Sequence, residues 1–306
     1  MVPAANKSRA ALRLRGIRRH FGSGIRGSGI RASGIWTAWL RRPRREVLTG
    51  VDLDVAAGEC VGLAGPNGSG KTTLLRIVAG LDRPSAGELE VLGSTPDRAA
   101  VRRRIGYLGE DSPYPGELTA AAALDLFAAL HGLPRAGRRA QVPAMLERVG
   151  LAREARSRLG RFSRGMLRRF GLAQAFLHGP ELVVLDEPSA GLDAPGYGVL
   201  SALLQEARER GTSVLLCSHV VADLTGPCDR VEVLFGGRVA ARAWSAERAR
   251  ETGRWEAVLE GSQDDPRAAL ERYLSDADLR VVSVRPAALA LEELYRELDA
   301  GQRGDA

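Results

Sequence analysis

Lysine is almost missing from this chain. Of its 44 basic residues only Lys7 and Lys71 are lysine, and arginine supplies all the remaining positive side-chain charge. Cysteine is nearly as scarce: Cys60, Cys217 and Cys228 are the only three, widely separated and without a C-x-x-C spacing. That excludes a disulfide framework and a structural zinc site, and it suits a reducing, cytoplasmic setting. Long apolar runs are lacking too. The most apolar stretch, "LTAAAALDLFAAL" at 118–130, is shorter than a bilayer core requires and is broken by Asp125. The arginine-rich start of the chain has no apolar segment of the kind a secretory signal needs. The sequence thus predicts a chain that does not cross a membrane and needs a partner to act at one.

What is present is ordinary globular material. The 306 residues, 44% apolar and 26% charged, suffice for one large domain with an appendage, or for two domains with real cores. A net charge of +7 and a pI near 9.9 raise the question of nucleic acid. The distribution of charge answers it. Twelve basic residues crowd the first 50 positions against one acid, Glu46, and the rest of the chain is slightly acidic. No basic groove is implied for the folded part, so no nucleic-acid partner is expected.

Residues 11–21, "ALRLRGIRRHF", begin by alternating apolar and basic side chains and read as an edge strand. A five-residue pattern of small residues, Ile and Arg then runs from 22 to 36, "GSGIRGSGIRASGIW". After Glu46, "VLTGVDLDVAAGECVGLAG" reads as two strands around a turn at Ala57-Gly58, and "TTLLRIVAGL" as the helix that follows. Short strands continue through "GELEVLG" and "RRIGYLGE". From about 117 to 180 the pattern is helical, with Val142, Met145, Leu146 and Val149 on one face. "ELVVLDEP" and "TSVLLCSH" are continuous apolar runs, as expected of parallel strands buried on both sides. Beyond about 240, "RWEAVLEG", "LRVVSV" and "LALEELYREL" predict a small α+β extension.

Lys71 lies in "GPNGSGKTT", residues 65–73, which fits the phosphate-binding pattern G-x-x-x-x-G-K-[ST] and stands between a predicted strand and a predicted helix. Its glycines let consecutive backbone N–H groups curl around phosphate oxygens, and the helix start adds positive potential. The candidate nucleotide-binding residues are Gly65, Pro66, Asn67, Gly68, Ser69, Gly70, Lys71, Thr72 and Thr73. Lys71 suits the β- and γ-phosphates as a compact cation, where arginine's planar group would not fit, and Thr72 offers a hydroxyl to Mg²⁺. "LVVLDEP" at 182–188 ends an apolar strand on Asp186 and Glu187. The first carboxylate suits the Mg²⁺ of such a loop, and the second suits a general base for the attacking water.

With "FSRGMLRRFGLAQAF" upstream, "PSAGLD" downstream and "CSH" further on, residues 11–240 resemble the ATP-binding subunit of ABC transporters. The resemblance implies an α/β P-loop fold with a parallel core sheet, an antiparallel β subdomain and a helical subdomain over about 111–165. On that likeness Ser163, Arg164, Gly165 and Met166 form the signature loop that faces the partner's nucleotide. Asp193 belongs to the D-loop, His219 is the switch histidine, Glu110 sits at the Mg²⁺-facing Q-loop position, and Phe21 stacks on adenine, with Trp36 as the alternative. The domains expected are a basic tail (1–10), the ATPase domain (11–240) and a small C-terminal domain (241–306). The Gly-Met signature, the Glu110 loop and the ending "LEELYREL" look most like ATPases of exporters that pair with a separate six-helix permease.

The same likeness implies ATP and Mg²⁺ as cofactors, a head-to-tail homodimer or a paired ATPase subunit, and a peripheral place on the cytoplasmic face of the membrane. A soluble ABC ATPase of iron–sulfur assembly or of the ribosome remains the alternative. Two departures stand out. The Q-loop position holds Glu110 rather than glutamine, and a 22–46 insertion replaces what is usually a short connection. That insertion is either a solvated loop or a contact for lipid headgroups or the permease.

Overall fold

The computed structural model describes residues 10–22, 45–218, 223–224 and 226–244. All lie in the first of two compact units, residues 1–245. The basic tail, most of the 22–46 insertion and the 246–306 extension fall outside the described residues, as do the strands and helix expected there.

Three strands form an antiparallel sheet: β1 (Ala10–Phe21), β2 (Arg45–Ala56) and β4 (Ala86–Val91), in the order β2-β1-β4. The edge-strand expectation for residues 11–21 is therefore wrong, because β1 is the middle strand. Its alternation has another cause. Leu12, Leu14 and Ile17 point inward and are fully buried, while Arg13, Arg15 and Arg18 are exposed and meet acids on the two neighbouring strands. Arg15 pairs with Asp54 at 2.6 Å, Arg18 with Glu46 at 3.1 Å and Arg13 with Glu90 at 3.3 Å. Alternation of this kind marks a sheet with one solvated face. The exposed pairs add little stability individually. The apolar face sets the register, since a one-residue slip would turn Leu12 and Leu14 outward.

A second sheet contains β3 (Cys60–Ala64), β5 (Ile105–Leu108), β6 (Leu182–Asp186), β7 (Ser213–Cys217), β8 (Arg230–Phe235) and β9 (Arg238–Trp244). Its order is β5-β6-β7-β3-β8-β9, with only the β8–β9 pair antiparallel. Strands β3, β6 and β7 are buried along their whole length, which accounts for their unbroken apolar sequences. Helix α1 (Lys71–Val78) contributes Leu74, Leu75, Ile77 and Val78 to one core shared by the two sheets.

The helices expected over about 117–180 are present as α3 (Ala120–Leu130), α4 (Arg135–Arg148) and α5 (Arg164–Phe176). Two more that the sequence analysis did not mark are α6 (Ala194–Glu209) and a single-turn α2 (Ala99–Arg102) before β5. Val142, Met145, Leu146 and Val149 are buried as their spacing predicts. Aromatic contacts tie the helical region to α5. Tyr114 meets Phe170 edge-on at 5.0 Å and Phe127 at 6.2 Å.

His131, at the end of α3, stacks on His178, just past α5, with ring centroids 3.7 Å apart. Burial first, and then the neighbouring His131, push the His178 pKa down to about 3. A histidine kept neutral in the fold but free to protonate when unfolded adds stability above its unfolded pKa of about 6.5, and that stability is lost as pH falls. Unfolding free energy should therefore decline between about pH 6.5 and 3, and His178→Phe should flatten the decline. Denaturant unfolding of both proteins across that range checks this; identical slopes would remove His178 as its source.

Candidate active site

Strands β3, β7 and β6 end level with one another. Leu63 is opposite Cys217, and Cys217 is opposite Asp186. The chain leaving β3 becomes the glycine loop, and the chain leaving β6 becomes Glu187, so the two motifs meet at one sheet edge. In an open parallel sheet the carboxyl ends of the strands are where ligands bind.

The loop's conformation requires its glycines. Gly65 has φ +156, and a Cβ there would lie 2.3 Å from the Leu234 carbonyl oxygen. Gly70 has φ +105 and would meet the Leu48 side chain at 2.6 Å. Gly70 is also the N-cap of α1, with no side-chain cap and no acid in the first turn. The first turn of α1 therefore brings no side-chain anion of its own to these N–H groups, and they suit phosphate. Lys71 is only 8% exposed, and its Nζ donates to the carbonyls of Gly65 at 2.7 Å and Pro66 at 3.1 Å. An ammonium has three N–H bonds, so two anchor the side chain and one remains for an anion. Thr72 is exposed, Thr73 half-buried, and Asn67 and Gly68 lie at the open rim.

Asp186 is 1% exposed, and neither carboxylate oxygen accepts a hydrogen bond among the described residues. A buried carboxylate in that condition calls for a cation. No cluster of three or more His, Cys, Asp or Glu side chains suited to a metal occurs among the described residues. One carboxylate and the Thr72 hydroxyl nonetheless fit Mg²⁺, which commonly takes one or two protein oxygens and fills its shell with phosphate and water. The Ser69 hydroxyl, also buried, has no hydrogen-bond partner among the described residues either. Cys217 lies beside Asp186, and burial, reinforced by that carboxylate, pushes its thiol pKa well up. An inert thiol is the result.

Glu187 is one of two non-glycine residues with positive φ among the described residues, at +50. Such a conformation is costly and recurs at functional sites. It is held on both sides: Glu187 N–H donates to the Cys217 carbonyl at 2.9 Å, and its own carbonyl accepts from Arg168 Nη2 at 2.5 Å. Glu110 follows β5 at an exposed position, and its carbonyl accepts from Arg168 Nη1 at 3.3 Å.

Ser163 is the N-cap of α5, its hydroxyl accepting from Met166 N–H at 3.2 Å. A Cβ on Gly165 would lie 3.1 Å from the Gly191 carbonyl, so the "SRGM" turn packs against "SAGLD" of the same chain. Arg164 is exposed beside it. Asp193 caps α6 through Gly196 N–H at 2.9 Å. Phe21, at the end of β1, is 43% exposed with the Arg19 guanidinium 4.6 Å from its ring, so it is a surface aromatic and not a core residue. His219 and Trp36 lie outside the described residues. Two residues escaped the sequence analysis. Asp223 accepts from Ser218 Oγ at 3.0 Å and also from Ser189, joining the segment after β7 to the "SAGLD" turn. Arg168 lies at the period of Leu172 and Ala175 on the buried face of α5, a register where a charge should have drawn notice.

A glycine cradle with a buried lysine, set beside an orphaned carboxylate at the edge of a parallel sheet, defines a P-loop nucleoside triphosphatase. The comparisons narrow this. The profile of the ABC transporter family matches residues 48–190. The daunorubicin resistance ATP-binding protein DrrA3 of Streptomyces coeruleorubidus is 40% identical over 68% of this chain and 67% of its own length. The Nod factor export ATP-binding protein I of Rhizobium meliloti is 37% identical over 64% of this chain and 59% of its own. A solved ATP-binding subunit of an ABC transporter matches with a TM-score of 0.66 and 29% identity, over 81% of this chain and 95% of that one. The chain belongs to the ABC transporter family, as one of its ATP-binding ATPase subunits.

The cradle generates a direct expectation for its lysine. Lys71→Arg should weaken nucleotide binding nearly as much as Lys71→Ala, each by roughly tenfold or more (about 1.4 kcal/mol). The buried space between the Gly65 and Pro66 carbonyls suits one ammonium, and a planar guanidinium would have to displace the loop. Nucleotide titrations of both variants check this, and wild-type affinity in the arginine variant would refute it.

Proposed function

We propose that this subunit hydrolyses ATP to drive export through a separate membrane permease, working at the cytoplasmic face as a head-to-tail dimer. The observation that carries the reading is the orphaned Asp186 carboxylate beside the Lys71 loop. Relatives that serve daunorubicin resistance and Nod factor export support the direction of transport. No helix among the described residues is long and apolar enough to cross a membrane, and the permease would supply the path.

In this mechanism the N–H groups of Gly65 to Thr73 cradle the phosphates, and Lys71 neutralises the β- and γ-oxygens. Thr72 and Asp186, with Glu110 at the rim, would hold Mg²⁺, which supplies charge neutralisation on the phosphate oxygens. Glu187 takes the proton of the attacking water, and His219 would serve as the switch histidine that the family resemblance assigns to it. Phe21 stacks on the adenine. Ser163, Arg164, Gly165 and Met166 present the start of α5 to the nucleotide held by the partner, where free N–H groups and the helix dipole favour an anion. Asp193 keeps the adjoining turn in shape. Positioning and electrostatic stabilisation carry most of the rate in such phosphoryl transfers.

Glu187→Gln separates these roles. The amide preserves the shape but removes the base, so the variant should bind ATP, lose roughly 100-fold or more in turnover, and accumulate as a closed dimer. Gel filtration with ATP and a phosphate-release assay measure both. Hydrolysis near the wild-type rate would exclude Glu187 as the base.

A further inference from the structure

Arg168 is 8% exposed and makes no ion pair among the described residues. Its guanidinium instead reaches four backbone carbonyls in two loops. Nη1 donates to Gly109 at 2.8 Å and to Glu110 at 3.3 Å. Nη2 donates to Asp186 at 3.4 Å and to Glu187 at 2.5 Å. Burial pushes the guanidinium pKa down, while Tyr114, Asp186, Glu110 and Glu187 favour its charge. A buried cation satisfied only by carbonyls is costly, and it survives where it fixes a geometry.

We propose that Arg168 is a positioning residue for hydrolysis: it staples the Glu110 loop to the Asp186–Glu187 turn and holds Glu187 in its left-handed conformation. The proposal rests on the reading of Glu187 as the base. The Glu187 peptide is clamped from two sides, its N–H by the end of β7 and its carbonyl by Arg168. A planar guanidinium carries N–H donors on two separate nitrogens, one turned to each of the two segments. A lysine has one nitrogen, and a glutamine offers donors from one nitrogen only. Because Ser163 is the N-cap of the same α5, the signature turn, the Glu110 loop and the base are tied to a single helix.

Two variants, Arg168→Lys and Arg168→Gln, test this in the full chain, with Mg–ATP affinity, turnover and thermal unfolding measured on each. The P-loop makes no hydrogen bond to Arg168, so affinity should stay within about threefold while kcat falls about 10- to 100-fold, as small misplacements of a catalytic group do. A folded Arg168→Lys with wild-type kcat would overturn the proposal. So would an affinity loss in step with kcat, or loss of cooperative unfolding in both variants, either of which marks a general structural role. Glu187→Gln measured alongside keeps the two ideas apart. If it is inactive while the Arg168 variants turn over normally, only the positioning role falls. If it hydrolyses normally, the base assignment falls and this role falls with it.

Discussion

Asp186 carries a carboxylate into a place that water scarcely reaches, and it accepts no hydrogen bond from any described residue there. Burying a charge without a partner costs several kcal/mol, so such a group persists only where a cation completes it or the fold compensates elsewhere. Much of the architecture is arranged around that constraint. β6 is buried along its whole length, which delivers Asp186 to the strand end with little freedom. β3 ends at the same level and hands over to the loop that seats Lys71. The cation-bearing loop and the buried anion thus share one sheet edge because their strands are in register, not because they are near in sequence.

Arg168 is the counterpart of opposite sign. It lies within hydrogen-bond reach of the Asp186 and Glu187 carbonyls and spends its donors on backbone, leaving the Asp186 carboxylate oxygens free of it. A guanidinium paired directly with Asp186 would have satisfied the carboxylate and cancelled its demand for a metal. The observed arrangement keeps the carboxylate demanding while holding its turn rigid. Rigid loops around a preorganised charge are what phosphoryl transfer requires, since little reorganisation is then left for the moment of reaction. The left-handed Glu187 is the local strain that accompanies this precision, and it is tolerated because both sides of its peptide are bonded.

Much of this was legible in the chain. "GPNGSGKTT" implies a strand–loop–helix cradle because no other common use of that glycine spacing ends in Lys-Thr, and the loop is where expected. "ELVVLDEP" and "TSVLLCSH" read as buried parallel strands, and both are. β1 reads as an edge strand because alternation reports a wet face, which an interior strand of an antiparallel sheet also has; the acids that meet Arg18 and Arg13 lie on strands 28 and 77 residues away. Arg168 carries one local mark, a charge at a buried position of α5, and the abundance of arginine hides it. Its importance comes from carbonyls 18 to 59 residues distant, which helical period alone cannot reveal.

The sequence by itself determined the chemistry class of this protein: a phosphate loop with its single suited lysine, an Asp-Glu strand end and a signature turn, each a local pattern whose residue types the function constrains. It also marked the helical region of about 117–180 and the buried strands ending at Asp186 and Cys217, since apolar period is a local property. Only the tertiary structure decided which strand ends stand level, that Asp186 loses every hydrogen-bond partner among the described residues, and that a guanidinium on α5 closes the gap between two loops. These depend on the register of parallel strands and on burial, both set by contacts between distant parts of the chain. The physical reason is that a carboxylate's solvation and a guanidinium's partners are properties of the space around them, and that space is assembled only when the sheet closes.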